Sequence, residues 1–345
     1  MRGKKIASLL LAMTLGVSAL TGCAAVNKND TIATLGDKEI KAGVVNFMCR
    51  YQQASVEDYY VSALGEDPWS QDPYSSGTNM QDTLKNSVME SVREMYTVAE
   101  HLEDYNVALT EDEKAAIKSA AEKFMSDNDK AALAEMGATQ EIVEEMLTLY
   151  TERQKMYDAI ISEVDTNVSD EEANKRAYSI LRVGIAGSYD EQHQYTEYTE
   201  EEKAEIITGI QAVSDKIQEP ADLETVAQEA GYNVTQSTYD ADDQLEEALR
   251  NALDGLKEGE ISDVITSDNY AYIVRIDKDT DEEATAQNRE SIIASRQDTK
   301  YQEVLKAWED ELEWSVKESL VEKIQFKNSL TLKGEESESV ETTEQ

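Results

Sequence analysis

Leu256-Lys257-Glu258-Gly259-Glu260-Ile261-Ser262, followed by Tyr270-Ala271-Tyr272-Ile273-Val274-Arg275-Ile276, is the stretch whose reading decides the fold. The second segment is β-branched and aromatic, has no breaker inside it, and predicts a strand. Ile261 to Ile265 has the same character, so the two predict a strand pair. Leu245 to Leu256, just before, predicts a helix. Working back along the chain, Ala177-Tyr178-Ser179-Ile180-Leu181-Arg182-Val183-Gly184-Ile185 predicts another strand. Ser169 with Glu172 caps a short helix before it, and Thr199 with Glu202 opens a helix to about Gln218. Pro220-Ala221-Asp222 opens one more, reaching Gly231. Strand, three helices and two strands make an α+β unit over residues 166–280.

On both sides of that unit the apolar residues recur every three or four positions, which is the helical period. Leu84, Val88, Val92, Met95, Ala99 and Leu102 form one stripe, and Ile142, Met146, Leu149, Met156 and Ile160 form another over 140–163. Thr110 with Glu113 reads as a capping box ahead of Ile117, Ala121 and Phe124. A helix is predicted over 41–63, then a Pro- and Gly-bearing loop over 65–80. Thr31 to Ile40 reads as two short extended pieces around Gly36-Asp37. A long final helix is predicted over 283–318 on the stripe Ile293, Tyr301, Leu305, Trp308 and Leu312, then a short strand holding Val321, Ile324 and Phe326. The expected fold class is α+β. Mainly helical segments at 31–165, and a C-terminal helix and strand at 281–328, flank the α+β domain. Residues 334–345 hold little but Glu, Ser and Thr, and are expected to be disordered.

The N-terminus has its own signal. Met1-Arg2-Gly3-Lys4-Lys5 is basic, and Ile6 to Leu20 is apolar, as in a signal peptide. The run is shorter than the roughly 20 residues a permanent membrane helix needs. It ends in Leu20-Thr21-Gly22-Cys23, which resembles the bacterial lipobox. That resemblance implies a signal peptide over 1–22, lipidation of Cys23, and a tether over 23–30. The expected location is the cell membrane, on its extracytoplasmic face and held by the lipid alone.

Net charge is −40, and loss of Arg2, Lys4 and Lys5 with the signal takes it to −43. Such a charge repels phosphate, so neither nucleic acid nor an anionic lipid surface is an expected partner. It favours solubility, and it could attract basic segments of a client. Cys23 and Cys49 are the only cysteines, so a lipidated Cys23 leaves no disulfide framework. Cys49 sits in an apolar helical stretch and reads as a buried thiol. There is no glycine-rich phosphate loop and no His/Cys metal spacing, so no cofactor and no metal are expected. His101 and His193 read as surface residues.

The order of parts resembles the SurA/PrsA-type extracytoplasmic foldases, in which a helical chaperone module carries a parvulin-type peptidyl-prolyl isomerase domain. The resemblance implies that the C-terminal helix and strand at 281–328 pack on the N-terminal helices, so that the parvulin-like α+β domain is inserted in a mainly helical module. The resemblance covers about residues 30–328 and rests on several segments. Ile32 to Ile40 looks like the family's opening strand, turn and strand, and the helix from Gln140 to Glu163 also looks like the family's. Ala177 to Leu181 sits where the family has its Ala-Arg-His-Ile-Leu-like first strand, Asp222-Leu223 where a helix opens with Asp-Phe, and Leu256 to Ser262 on its Leu-x-x-Gly-Glu-Ile-Ser turn. Tyr272 to Ile276 sits on its last strand.

By that resemblance the two central histidines of an active parvulin fall at Ser179 and Tyr272, which could hydrogen-bond to each other. The family's Gly-Gly-Asp-Leu-Gly-like segment has no counterpart here, nor do its pocket Met and Phe. The implied function is a membrane-anchored chaperone that binds unfolded exported polypeptides, with a parvulin-like domain lacking its catalytic histidines. Phe47, Met48, Met95, Met146, Tyr150, Trp308 and Trp314 are the client-binding candidates, although stripes of this kind more often form a core. Two alternatives stay open: an active peptidyl-prolyl cis-trans isomerase, and a structural lipoprotein that binds no client.

Overall fold

The computed structural model describes residues 15–17, 26–190 and 192–332. Cys23, most of the signal segment and the tail at 334–345 lie outside the described residues. The chain forms two compact units, Met1–Val164 with Asp298–Gln345, and Asp165–Gln297. The boundary falls inside the last long helix, not at residue 281, because the first half of that helix is tied to residues 165–175. Arg289 bonds to the Val168 carbonyl and to Asp170, and Arg296 reaches the Asp165 and Asn167 carbonyls and Glu172.

In the first unit, strands Thr31–Leu35 and Lys38–Lys41 pair around Gly36, whose φ of +54° is a left-handed turn. Helices Ala42–Leu64, Met80–Glu100, Glu111–Asp127, Lys130–Met136 and Gln140–Ile161 follow. Their starts are set by local chemistry. Asn79 accepts from the Asp82 amide, Thr110 and Glu113 form the capping box, and Thr139 accepts from the Ile142 amide. The apolar stripes close on one core that holds Val44, Phe47, Val92, Met95, Phe124, Met146 and Leu147. Cys49 is fully buried in it, and burial pushes its thiol up to about 12. Arg50 is buried too, answered by Glu135, Gln53 and the carbonyls of Gln325 and Asn328. Those carbonyls fasten the C-terminal segment to helix Ala42–Leu64.

Two expectations fail in that segment. The final helix spans Glu282–Glu311 and stops seven residues short of 318. Trp314–Val316 leaves it as a strand that pairs with Thr31–Leu35, Trp314 opposite Leu35. The free edge of Thr31–Leu35 supplies hydrogen bonds there, and tertiary pairing overrides helix propensity. Residues 321–326 form no strand. Val321 ends the short helix Glu318–Val321, and Ile324 and Phe326 are buried in irregular backbone. A further pair joins Leu15–Val17 to Leu330–Leu332.

The second unit is built on an antiparallel four-stranded sheet. Its order is Val234–Tyr239, Arg176–Gly184, Tyr270–Lys278, Ile265–Thr266. The two central strands pair over nearly their whole length, and Ile261 adds a single bridge to Arg275. The strand expected at 261–265 is therefore reduced to Ile265–Thr266. Val234–Tyr239 was not legible, because an edge strand exposed at Thr235 to Thr238 shows no apolar alternation. Helices Glu200–Ser214 and Leu223–Glu229 cover one face of the sheet, and helix Glu247–Gly255 covers the other. Gly187–Tyr189 and Tyr195–Glu197 form a separate two-stranded hairpin. Among the described residues no helix is long and apolar enough to cross a membrane.

Candidate functional site

Side chains alternate across a strand, so the register of the central pair decides which residues can share a site. Ser179 lies opposite Arg275, and Tyr272 lies opposite Arg182. Ser179 therefore shares its face with Leu181, Ile273 and Arg275, while Tyr272 shares the other with Tyr178, Ile180 and Val274. The expected hydrogen bond between Ser179 and Tyr272 does not form: the sheet lies between them. On the first strand the residues that share Tyr272's side of the sheet are Tyr178, Ile180 and Arg182. Only the strand register reveals that, and the register is a tertiary quantity.

Ser179 belongs to an ion cluster. Its side chain is fully buried. The Ser179 hydroxyl donates to Asp277 Oδ2 at 2.6 Å and accepts from Arg275 Nη2 at 3.1 Å. Arg275 forks onto Glu224 at 2.6 and 2.9 Å, donates from Nε to Asp277 Oδ1 at 2.6 Å, and reaches the Pro220 carbonyl at 2.9 Å. The fork raises the guanidinium pKa and holds the Glu224 carboxyl below the usual range. Both groups are thus locked in their charged forms. Ser179 is tied into this ion cluster on both its donor and its acceptor side.

The opposite face is a layer of tyrosines. Tyr178 and Tyr239 meet edge to face at 5.7 Å, and Tyr270 and Tyr272 lie 5.9 Å apart. Leu249 and Leu253 from helix Glu247–Gly255 pack on the rings, so Tyr178, Tyr239 and Tyr272 are all buried. The phenols find partners at the rim. Tyr272 donates to Glu246 Oε2 at 2.5 Å, and Tyr239 accepts from Arg176 at 2.8 Å. Burial, reinforced by Glu246, pushes the Tyr272 phenol up to about 12. Arg182 lies 5.0 Å over the Tyr270 ring. Rings and leucines pack this face of the sheet. The open depression alongside, about 580 Å³, is lined by Glu246, Glu247, Ala248, Asn251, Ser267, Asp268 and Asn269.

The client-binding candidates are core. Phe47, Met48, Met95 and Met146 lie within the main cluster of the first unit, and Tyr150 and Trp314 are packed against it half-buried. Trp308 is buried in a separate cluster with Val98, Met156 and Tyr301. Their helical spacing builds the core, which is why they read alike in the sequence. His101 is also not a surface group. It stacks on Trp308 at 4.5 Å and bonds to Asp104 at 2.7 Å. His193 is exposed on the hairpin. No group of residues that could hold a metal ion is found among the described residues.

Residues 187–287 match the family model of the PPIC-type PPIASE domain. The match covers the hairpin, both helices of the ion-cluster face, Tyr239, Tyr270 and Tyr272 of the tyrosine layer and the strand bearing Tyr272, and it starts after the strand that bears Tyr178 and Ser179. No curated protein matches the chain. Among solved structures, the foldase PrsA of Lactococcus lactis is similar at 17% identity and a TM-score of 0.34, over 86% of this chain and 100% of that one. A peptidylprolyl isomerase PrsA of Bacillus cereus follows at 14% identity and 0.31, over 74% and 97%. A structure from work on two SurA-like chaperones of Campylobacter jejuni gives 12% and 0.28, over 84% and 99%. Similarity to SurA/PrsA-type foldases, read first from the order of segments, thus recurs at the level of a domain family. The structural likenesses are too distant to carry more.

Proposed function

We propose that this chain is a lipid-anchored extracytoplasmic chaperone whose PPIase-type domain binds polypeptide without isomerising it. The observation that carries the reading is the tyrosine layer: a PPIC-type match falls on a unit whose sheet face is closed by Tyr178, Tyr239, Tyr272, Leu249 and Leu253. Rotation about a prolyl bond needs no nucleophile. It needs an apolar recess that strips water from the amide and groups that favour its twisted form. Filled space offers neither. Anchoring rests on the Leu20-Thr21-Gly22-Cys23 sequence, and the extracytoplasmic side follows from the signal segment before it. Client contact in the first unit falls to its exposed apolar side chains, Tyr59, Val61 and Tyr74, which take the place of the buried candidates.

The test is a pair of assays on the purified chain. Prolyl isomerisation of a peptide panel is expected to stay at the uncatalysed rate, while aggregation of an unfolded exported protein is delayed. Catalysis tenfold or more above background, on the order of 1.4 kcal/mol off the barrier, would restore the isomerase reading. A chain that delays no aggregation would leave the structural lipoprotein. Incorporation of labelled fatty acid, abolished by Cys23→Ser, checks the anchor.

A further inference from the structure

The hairpin of Gly187–Tyr189 and Tyr195–Glu197 contributes nothing to either face of the main sheet, yet it is a built structure. A two-stranded ribbon alone is marginal in water, and this one is closed by specific contacts. A Cβ at Gly187 would come within 2.3 Å of the Thr196 carbonyl oxygen and 2.7 Å of the end of the Tyr195 ring, so the facing strand requires glycine there. The Asp190 carboxylate accepts from the Gln192 and Gln194 amides and ties the tip. The result holds two tyrosine rings, Tyr189 and Tyr195, 5.1 Å apart and facing water, 71% and 47% exposed. They are the exposed large apolar side chains described in the second unit. Glu197 stands on the hairpin two residues from Tyr195, and Glu201 follows it in the chain; Lys203 bonds to Glu200 at 3.0 Å and also feels Glu197.

We propose that this hairpin is a docking site for lysine- and arginine-bearing stretches of extended polypeptide. The proposal rests on the client-binding reading above and gives it a location and a chemistry. Tyrosine faces attract ammonium and guanidinium groups, and the carboxylates of Glu197 and Glu201 add charge opposite in sign to such groups. The net charge of −40 favours basic over acidic segments, so the preference has one direction.

The experiment measures binding of an unstructured Lys/Arg-bearing peptide to the full chain in detergent by fluorescence anisotropy. A matched peptide with glutamine at each basic position is the control. Binding is expected for the basic peptide, weaker binding for the control, and a Kd that rises with salt. Tyr189→Ser with Tyr195→Ser should weaken binding about tenfold, and Glu197→Gln with Glu201→Gln should weaken it as well. All four positions are exposed, so melting temperature should stay unchanged in both double variants. Equal affinity of wild type and both variants, or of the two peptides, overturns the docking site. Aggregation of an acidic unfolded client, followed in parallel, separates the two claims. A chain that delays it but ignores the basic peptide keeps the chaperone reading and loses the hairpin. Hairpin-dependent peptide binding without any delay of aggregation keeps the hairpin and loses the chaperone reading.

Discussion

The two faces of the four-stranded sheet are made by the same two strands and hold opposite chemistry. On one, Arg275 gathers Glu224, Asp277 and Ser179 beside an aliphatic layer of Leu181, Ile273, Ile210 and Leu223. On the other, Tyr178, Tyr239 and Tyr272 are pressed under Leu249 and Leu253, with the Tyr272 hydroxyl led out to Glu246 and the Tyr239 hydroxyl to Arg176 and Asp254. A single step along a strand, from Tyr178 to Ser179, moves a side chain from one to the other. The charged face is held by partners that must all be present, because a buried ion without its counter-ion is costly. The tyrosine face is held by area and shape, with hydrogen bonds only at the edge. Both lie within the unit that carries the PPIC-type match.

The sharpest way to break the comparison is to open the tyrosine face. Leu253 is fully buried, and Leu253→Ala should cost about 3 kcal/mol in urea unfolding of the chain. A loss under about 1 kcal/mol would mean that the helix does not seal the rings. Next in size is the charged face. Arg275→Ala strands two carboxylates and a buried hydroxyl, but Glu224 is 44% exposed, so water relieves part of the loss. About 2 kcal/mol is expected, and an added Glu224→Gln with Asp277→Asn should recover some of it. Failure of that rescue would assign the loss to packing of the Arg275 stem. Tyr272→Phe removes one rim hydrogen bond and no ring, and should cost about 1 kcal/mol, with the isomerisation rate unmoved. A change in that rate would bring Tyr272 back as a working group.

The smallest effect sharpens the contrast through pH. Glu224's carboxyl is depressed in the folded state, chiefly by Arg275. Its contribution is present above the ordinary value of 4.5 and is lost as pH falls through the lower folded value. Tyr272 runs the other way, raised from 10.0 to about 12 by burial and then by Glu246. Its contribution is whole below 10.0 and is lost as pH rises toward about 12. Urea midpoints across pH should therefore show Glu224→Gln flattening the acid limb and Tyr272→Phe the alkaline limb. Identical limbs in both variants would detach the two faces from these groups.

Legibility followed the range of the interactions involved. The capping boxes at Thr110 and Thr199 and the left-handed turn at Gly36 are settled within a few residues, and each stands where the spacing implies. The helical stripes were legible as stripes, yet nothing in Phe47, Met95 or Met146 says whether the apolar side meets a client or another helix. Burial answers that, and it depends on every element around them. The helix end at Glu311 was not legible either, because no Gly or Pro stands there and the stop comes from pairing of Trp314–Val316 with a strand about 280 residues earlier in the chain. The separation of Ser179 from Tyr272 turns on register between strands more than 80 residues apart, and a shift of one would have reversed it.

What the sequence determined by itself is thus the local and the compositional: a basic then apolar N-terminal run ending in Leu20-Thr21-Gly22-Cys23, net charge, caps, periods, the α+β class and the absence of histidine from both strands. What only the tertiary structure decided is which side chains meet. It put Arg275 rather than Tyr272 beside Ser179, sealed the tyrosine layer with Leu249 and Leu253, and left Tyr189 and Tyr195 in water. The physical reason is that caps and periods are set by neighbours along the chain. Register, burial and the pairing of charges are set by residues that only the fold brings together.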